Sequence, residues 1–296
     1  MQTIQLKDKP IFDSFLSRQK LPLSMYSFAS IFVWRGLFDI FWSIVDNCLC
    51  VFAKNNLGCF LIVPPLGRPL PRTIDKIFAL IDKHNRNKSF SRIENIPENE
   101  VGFYKKLGLD IVVKDSEYLY AVKDLIKLSG NTFKSKRSAC NFFMRHYQYS
   151  CQSLESSMAK ECLSLYRQWS KMRKARHQED AYHFCLDDCL SSQEQALKNF
   201  KELNLCGWLV KVENKIVGYS LGLALSKEVF YIMFETTDLN IKGLSQFLFR
   251  EFCQKLSGYR FVNCGDDSGF ENLRRVKQSY RPAWLLRPFI AQRRFA

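Results

Sequence analysis

The chain has no secretory start. Residues 1–10 are polar and carry both charge signs, with no apolar core behind a basic segment. It has no membrane-length apolar run: the longest uncharged stretch, 21–34, holds Pro22 and three serines and falls short of the roughly 18 apolar residues a span needs. It has no disulfide framework, because its 11 cysteines are odd in number and scattered, the usage of a reducing compartment with free thiols. There is no Ser/His/Asp nucleophile elbow, no complete phosphate-binding glycine loop and no internal sequence repeat. His177, His183, Cys185 and Cys189 crowd what reads as one acidic loop, but His-x-Cys-x-x-x-Cys is not a zinc spacing and no second cysteine pair follows. These absences exclude a secreted disulfide scaffold, a serine hydrolase of the usual kind and a P-loop enzyme. They leave the expectation of a cytoplasmic chain without a transmembrane segment, with no metal and no certain cofactor.

What is present is apolar mass and unevenly placed charge. Of 296 residues, 47% are hydrophobic and 25 are Phe, enough for two domains that each bury a core. The net charge of +15 is concentrated: residues 126–177 carry +9 and 270–296 carry +6, around a segment, 178–269, of −4. Clustered positive charge attracts polyanions such as tRNA, anionic lipid headgroups or a phosphorylated cofactor. The alternative is a solvated basic surface that serves solubility.

Hydrophobic patterning predicts a mixed α/β chain. In the first half, helices are expected at 11–18, 73–84 (capped by Thr73) and 98–107. Strands are expected at 27–33, 40–45, 48–53, 59–63 and 89–96, and a hairpin joins 109–113 to 118–122. The second half predicts a helix at 132–147, one at 153–174, and strands at 207–212, 216–225 and 229–234. A helix at 243–256, a strand at 260–264, a helix at 270–279 and a strand at 284–290 complete it. The similar order suggests two copies of one architecture, 1–125 and 126–296, linked near 123–130.

Three places carry candidate chemistry. The helix opening at Asn131 puts Lys134, Arg137, Asn141 and Arg145 on one face, with Lys136 beside them; cations at a helix N-terminus suit phosphate. An ordinary amphipathic surface helix is the alternative. Asn240-Ile241-Lys242-Gly243-Leu244-Ser245, with Gln246 after it, occupies a strand-to-helix turn where a backbone anion site is expected, although one glycine permits few close approaches. Glu235 and Asp238 lie just past a buried strand, where a carboxylate serves as a general base or holds an ammonium; a helix cap is the competing role. Arg274 and Lys277 lie on the helix after Asp266-Asp267-Ser268-Gly269, where Asp267 or Ser268 serves as a cap.

Phe32-Val33-Trp34-Arg35, Pro64-Pro65-Leu66-Gly67, Leu128-Ser129-Gly130 with Lys134-Ser135-Lys136-Arg137-Ser138, Phe234-Glu235-Thr236-Thr237-Asp238 with Lys242-Gly243-Leu244-Ser245-Gln246, and Asn263-Cys264-Gly265-Asp266-Asp267-Ser268-Gly269 with Leu273-Arg274-Lys277 occur in this order. Together they resemble the phosphatidylglycerol lysyltransferase C-terminal domain family across nearly the whole chain. The resemblance implies an α/β fold of two tandem GNAT-like domains with mixed, mainly antiparallel sheets. It also implies aminoacyl transfer from aminoacyl-tRNA to a lipid or small-molecule acceptor, with Glu235 or Asp238 as base and basic residues on the donor's phosphates. Acetyl-CoA-dependent N-acetyl transfer is the alternative activity. A non-catalytic module for RNA or an anionic lipid surface is the alternative class.

Overall fold

The computed structural model describes residues 1–177 and 179–294. They form two compact units. One comprises Met1–Glu117, Asp266–Phe270 and Leu285–Ala296; the other comprises Tyr118–Gly265 and Glu271–Trp284. The first boundary falls near residue 117, earlier than the expected 125, and the C-terminal residues return to the first unit. Residues 123–130 are no free linker: they hold most of α5 (Val122–Lys127), whose Val122 and Leu125 are buried.

The first unit contains β1 (Gln2–Thr3), α1 (Lys9–Leu16), α2 (Phe28–Val33), β2 (Asp39–Val45), β3 (Cys48–Lys54), β4 (Cys59–Leu61), α3 (Pro71–Asp82), β5 (Arg92–Ile96), α4 (Val101–Lys106) and β6 (Asp110–Val113). Its seven-stranded sheet has the order β1-β2-β3-β4-β5-β14-β6, where β14 is Phe289–Gln292. Neighbours run antiparallel except the parallel pair β4–β5. Ile74, Ile77, Phe78 and Ile81, the expected stripe of α3, are buried against Phe52, Leu61 and Ile93. Each such side chain contributes about 1.5–3 kcal/mol by leaving water.

The second unit contains β7 (Glu117–Ala121), α5, α6 (Lys134–His146), β8 (Tyr149–Ser153), α7 (Ala159–Arg176), α8 (Asp180–Lys198), β9 (Cys206–Val212), β10 (Lys215–Ala224), β11 (Val229–Thr237), α9 (Leu244–Lys255), β12 (Phe261–Asn263), α10 (Glu271–Gln278) and β13 (Trp284–Leu286). Its sheet order is β13-β7-β12-β11-β10-β9-β8, and it too contains a parallel pair, β11–β12. Each sheet therefore carries a strand supplied by a distant part of the sequence, β14 in the first and β7 in the second. Among the described residues, no helix is long and apolar enough to cross a membrane.

Several expected elements change. Residues 27–33 form helix α2, not a strand: all of α2 is buried, so periodicity carries no information there, and the deciding group is the Ser27 hydroxyl, which accepts the Ser30 N–H at the N-terminus. Thr73 is not the cap of α3. It lies one turn inside, and its hydroxyl accepts the Leu70 N–H. The expected hairpin 109–122 does not exist, because β6 and β7 join different sheets. The expected strand 284–290 splits into β13 and β14 for the same reason. The helix expected from 153 begins at Ala159, after the unforeseen edge strand β8. The supposed acidic loop holding His183, Cys185 and Cys189 is helix α8.

Candidate active site

The second sheet opens where β11 leaves β12. The pair holds register only over Val229↔Phe261, Phe230↔Val262 and Tyr231↔Asn263. β12 then stops while β11 continues to Thr237. On its other side, β11 is bulged: Leu221 pairs with Phe234 but Gly222 pairs with Ile232, which leaves Met233 as an extra residue. A bulge bends its strand and re-aims the side chains beyond it. Gly222 is required there, since a Cβ would lie 1.8 Å from the Tyr231 carbonyl oxygen.

Glu235 comes directly after this bulge. One of its carboxylate oxygens, Oε2, is fully buried with no hydrogen-bond partner. The residue as a whole is half-buried. Burial raises its pKa to about 8, with the nearby Lys277 ammonium and the Ser220 hydroxyl pulling the other way. Ser220 is its cross-strand partner on β10, wholly buried and in a strand otherwise apolar at its centre.

Lys277 arrives from α10. Its Nζ donates to the carbonyl of Cys264 at 2.5 Å and reaches toward Gly265 O at 3.5 Å. Those carbonyls are held in place by buried Asn263, whose Oδ1 accepts the Gly265 N–H at 2.7 Å. The Tyr120 hydroxyl donates to the Lys277 carbonyl. The thiols facing this cluster are not nucleophiles. Burial pushes Cys264 up to about 12 and Cys253 well above its ordinary value, so both stay protonated at neutral pH.

The other predicted residues divide. Lys136 sits over the Tyr280 ring at 4.3 Å, and burial lowers its pKa. Tyr280 in turn feels the charge of Glu235, so Lys136, Tyr280, Glu235 and Lys277 belong to one neighbourhood. Lys134 and Asn141 are exposed on α6. Arg137 is engaged within its own loop, donating to the carbonyls of Leu128 and Gly130. Asp238 closes a turn, its Oδ1 accepting the Asn240 N–H at 2.9 Å. Lys242 lies over Phe142 at 4.6 Å, and Gln246 is half-buried in the first turns of α9. Arg274 pairs with Glu271 at 3.6 Å. Gly243, at φ +83°, admits the Ala139 carbonyl of α6, which would lie 2.2 Å from a Cβ. The glycine thus answers a helix-to-helix approach.

Sequence patterns did not single out Ser220, Asn263, Cys264 and Tyr280 as neighbours of Glu235. The one available signal was Ser220, a hydroxyl in the middle of an apolar strand. The rest converge from separate elements.

The family described as phosphatidylglycerol lysyltransferase, C-terminal, matches residues 18–292. Among solved structures, a conserved protein of unknown function from Bacteroides thetaiotaomicron aligns with 24% identity over 99% of both chains at a TM-score of 0.87. The L-PGS of Bacillus licheniformis aligns with 21% identity over 97% of this chain and 92% of that one, TM-score 0.68. A tandem GNAT protein from the clavulanic acid biosynthesis pathway aligns with 10% identity over 100% and 98%, TM-score 0.50. No curated protein matches the sequence. The fold is the expected tandem arrangement of GNAT-like units with mixed sheets.

Proposed function

We propose, from the premise that this chain belongs to the phosphatidylglycerol lysyltransferase C-terminal family, that its second unit moves an aminoacyl group from aminoacyl-tRNA to a lipid or small-molecule acceptor. The coarser statement, an acyltransferase-type fold, is already given by the family and the GNAT-like neighbours. The observation that carries the finer one is Glu235: a carboxyl with one oxygen buried and unpartnered, poised near neutrality, where two parallel strands part.

The chemistry is direct transfer. The acceptor hydroxyl or amine attacks the ester carbonyl carbon of the donor, and Glu235 takes its proton. The ester C–O bond breaks, and the ribose oxygen of the tRNA leaves as a hydroxyl by taking that proton back from Glu235. The cysteines facing Glu235 are too weakly acidic to form a covalent thioester on the way. Lys277, held on the Cys264 carbonyl, tempers the proton affinity of Glu235 through its charge.

On α6, exposed Lys134 and half-buried Lys136 suit the donor's phosphates. Replacing Lys134 and Lys136 by Ala is expected to weaken tRNA binding and to flatten its salt dependence, by roughly one unit of slope for each phosphate ion pair removed. Filter binding at several salt concentrations reads this. An unchanged affinity and slope returns the block to a solvated surface. Arg137 is left in place because it braces the 128–130 loop.

The deciding experiment supplies labelled aminoacyl-tRNA with phosphatidylglycerol vesicles or with small hydroxyl and amine acceptors, and acetyl-CoA in parallel. Label appearing in an acceptor only from aminoacyl-tRNA supports the proposal. Transfer from acetyl-CoA alone selects N-acetyl transfer. Binding of tRNA or anionic vesicles without turnover selects a non-catalytic module.

A further inference from the structure

The first unit contains a cavity of 150 Å³ that the transferase reading does not use. Its walls include Pro64, Pro65 and Pro69, the aromatic residues Tyr26 and Phe103, the amide residue Gln19, and one acidic residue, Glu100. Pro64, Pro65 and Leu66 are buried at the base, while Gly67 and half-buried Phe103 and Glu100 lie toward solvent.

The lining offers few hydrogen-bond donors besides the neutral Gln19 amide. Proline has no N–H. The Leu66 N–H is given to the Leu49 carbonyl, and the Tyr26 hydroxyl to the Asn95 carbonyl. None of the lining residues is basic. An anion entering this cavity finds repulsion from Glu100 and few groups to bind it. A cation finds a carboxylate and aromatic ring faces, which attract cations through the ring quadrupole.

Glu100 also stands apart from the buried carboxyls of this unit. Glu94 is matched by Arg92 at 2.7 Å and Lys114 at 2.6 Å. Glu117 accepts both the N–H and the hydroxyl of Ser24. Glu100 has burial raising its proton affinity and no basic side chain offsetting it. One turn along, Tyr104 has a hydroxyl that is buried without a hydrogen-bond partner and lies within the field of Glu100. In a chain with a net charge of +15, Glu100 is thus a recessed carboxyl with no basic partner among the described residues.

We propose that this cavity binds a small organic ammonium ion, with Glu100 as its counter-ion and Tyr26 and Phe103 as its aromatic walls. The volume suits about five heavy atoms, taking about 30 Å³ for each water-sized group. That is the size of a tetramethylammonium ion, or of the trimethylammonium head with its first methylene, either free, as in choline, or borne on a phosphocholine headgroup. The inference uses none of the residues assigned to transfer.

Titration calorimetry on the full chain tests it with tetramethylammonium, choline, glycerophosphocholine and 3,3-dimethylbutan-1-ol, the uncharged isostere of choline. Saturable binding of the cations is expected, with the neutral alcohol weaker by about tenfold or more. Glu100→Gln is expected to abolish that preference while the melting temperature is kept. Phe103→Ala is expected to weaken cation and isostere together. Glycerophosphocholine binding as well as choline identifies a headgroup as the source, and choline binding alone identifies the free ion. Equal affinity for the neutral isostere, no saturation at millimolar cation, or a cation preference that survives Glu100→Gln overturns the proposal.

Discussion

Glu235→Gln is expected to lower aminoacyl transfer by about 10²- to 10⁴-fold, the usual contribution of a positioned acid–base group, while tRNA binding stays within error. The amide has the shape of the carboxyl but takes no proton. Wild-type kcat/KM is expected to rise about tenfold per pH unit below the Glu235 pKa of about 8 and to level above it. The variant's residual rate is expected to be flat across that range. A Gln variant with full activity removes Glu235 from the mechanism and leaves Asp238 as the next candidate.

The same substitution has a stability signature of opposite sense. The folded chain holds the Glu235 proton up to about pH 8, whereas an unfolded Glu releases it near pH 4.3. Between those values the folded state binds more protons than the unfolded one, so the Glu235 contribution to stability falls as pH rises through the window. Glu235→Gln removes this dependence. The variant is expected to gain on wild type from about pH 5 to pH 8, reaching about 2 kcal/mol once solvent screening of the half-buried group is discounted. Denaturant midpoints at pH 5 and pH 9 measure it. A difference that does not change with pH means that the carboxyl is hydrated in solution.

Gly243→Ala is expected to be a strongly damaging small substitution near the site. Its φ of +83° costs an L-residue about 1–2 kcal/mol. The added Cβ would also lie 2.2 Å from the Ala139 carbonyl oxygen, so α6 and α9 must move apart, an overpacking cost of about 1–3 kcal/mol. The sum, about 2–5 kcal/mol, predicts a melting temperature lowered by roughly 5–15 °C. Gly108→Ala is the control, with φ +75° but open space around its Cβ, and is expected to cost only the backbone part. Equal losses in the two variants mean that the helices yield freely. Because α6 carries Lys134 and Lys136, Gly243→Ala is also expected to weaken tRNA binding without touching a phosphate-binding side chain.

Much of the architecture was legible along the chain. The strands at 206–212, 215–224 and 229–237 announce themselves by runs rich in Val, Ile, Leu, Phe and Tyr. The α3 stripe announces itself by spacing. Glu235 was legible as a carboxylate at the end of such a strand. What failed, failed for a common reason. Residues 28–33 are apolar on every side and buried on every side, so only the Ser27 cap distinguishes helix from strand. Residues 110–121 look like a hairpin because local sequence cannot tell which sheet a strand will join.

The sequence by itself determined the type of most of the strongly patterned elements, the clustering of positive charge, and the family, because each is written in local order. Only the tertiary structure decided that β7 and β14 complete sheets distant in sequence. It alone decided that Ser220, Asn263, Cys264, Lys277 and Tyr280 surround Glu235, that Gly243 serves a helix contact, and that Glu100 stands at a proline-walled cavity. Proton affinity, desolvation and counter-charge depend on what lies within a few ångströms in space. That proximity is set by strand pairing and helix packing between segments far apart along the chain.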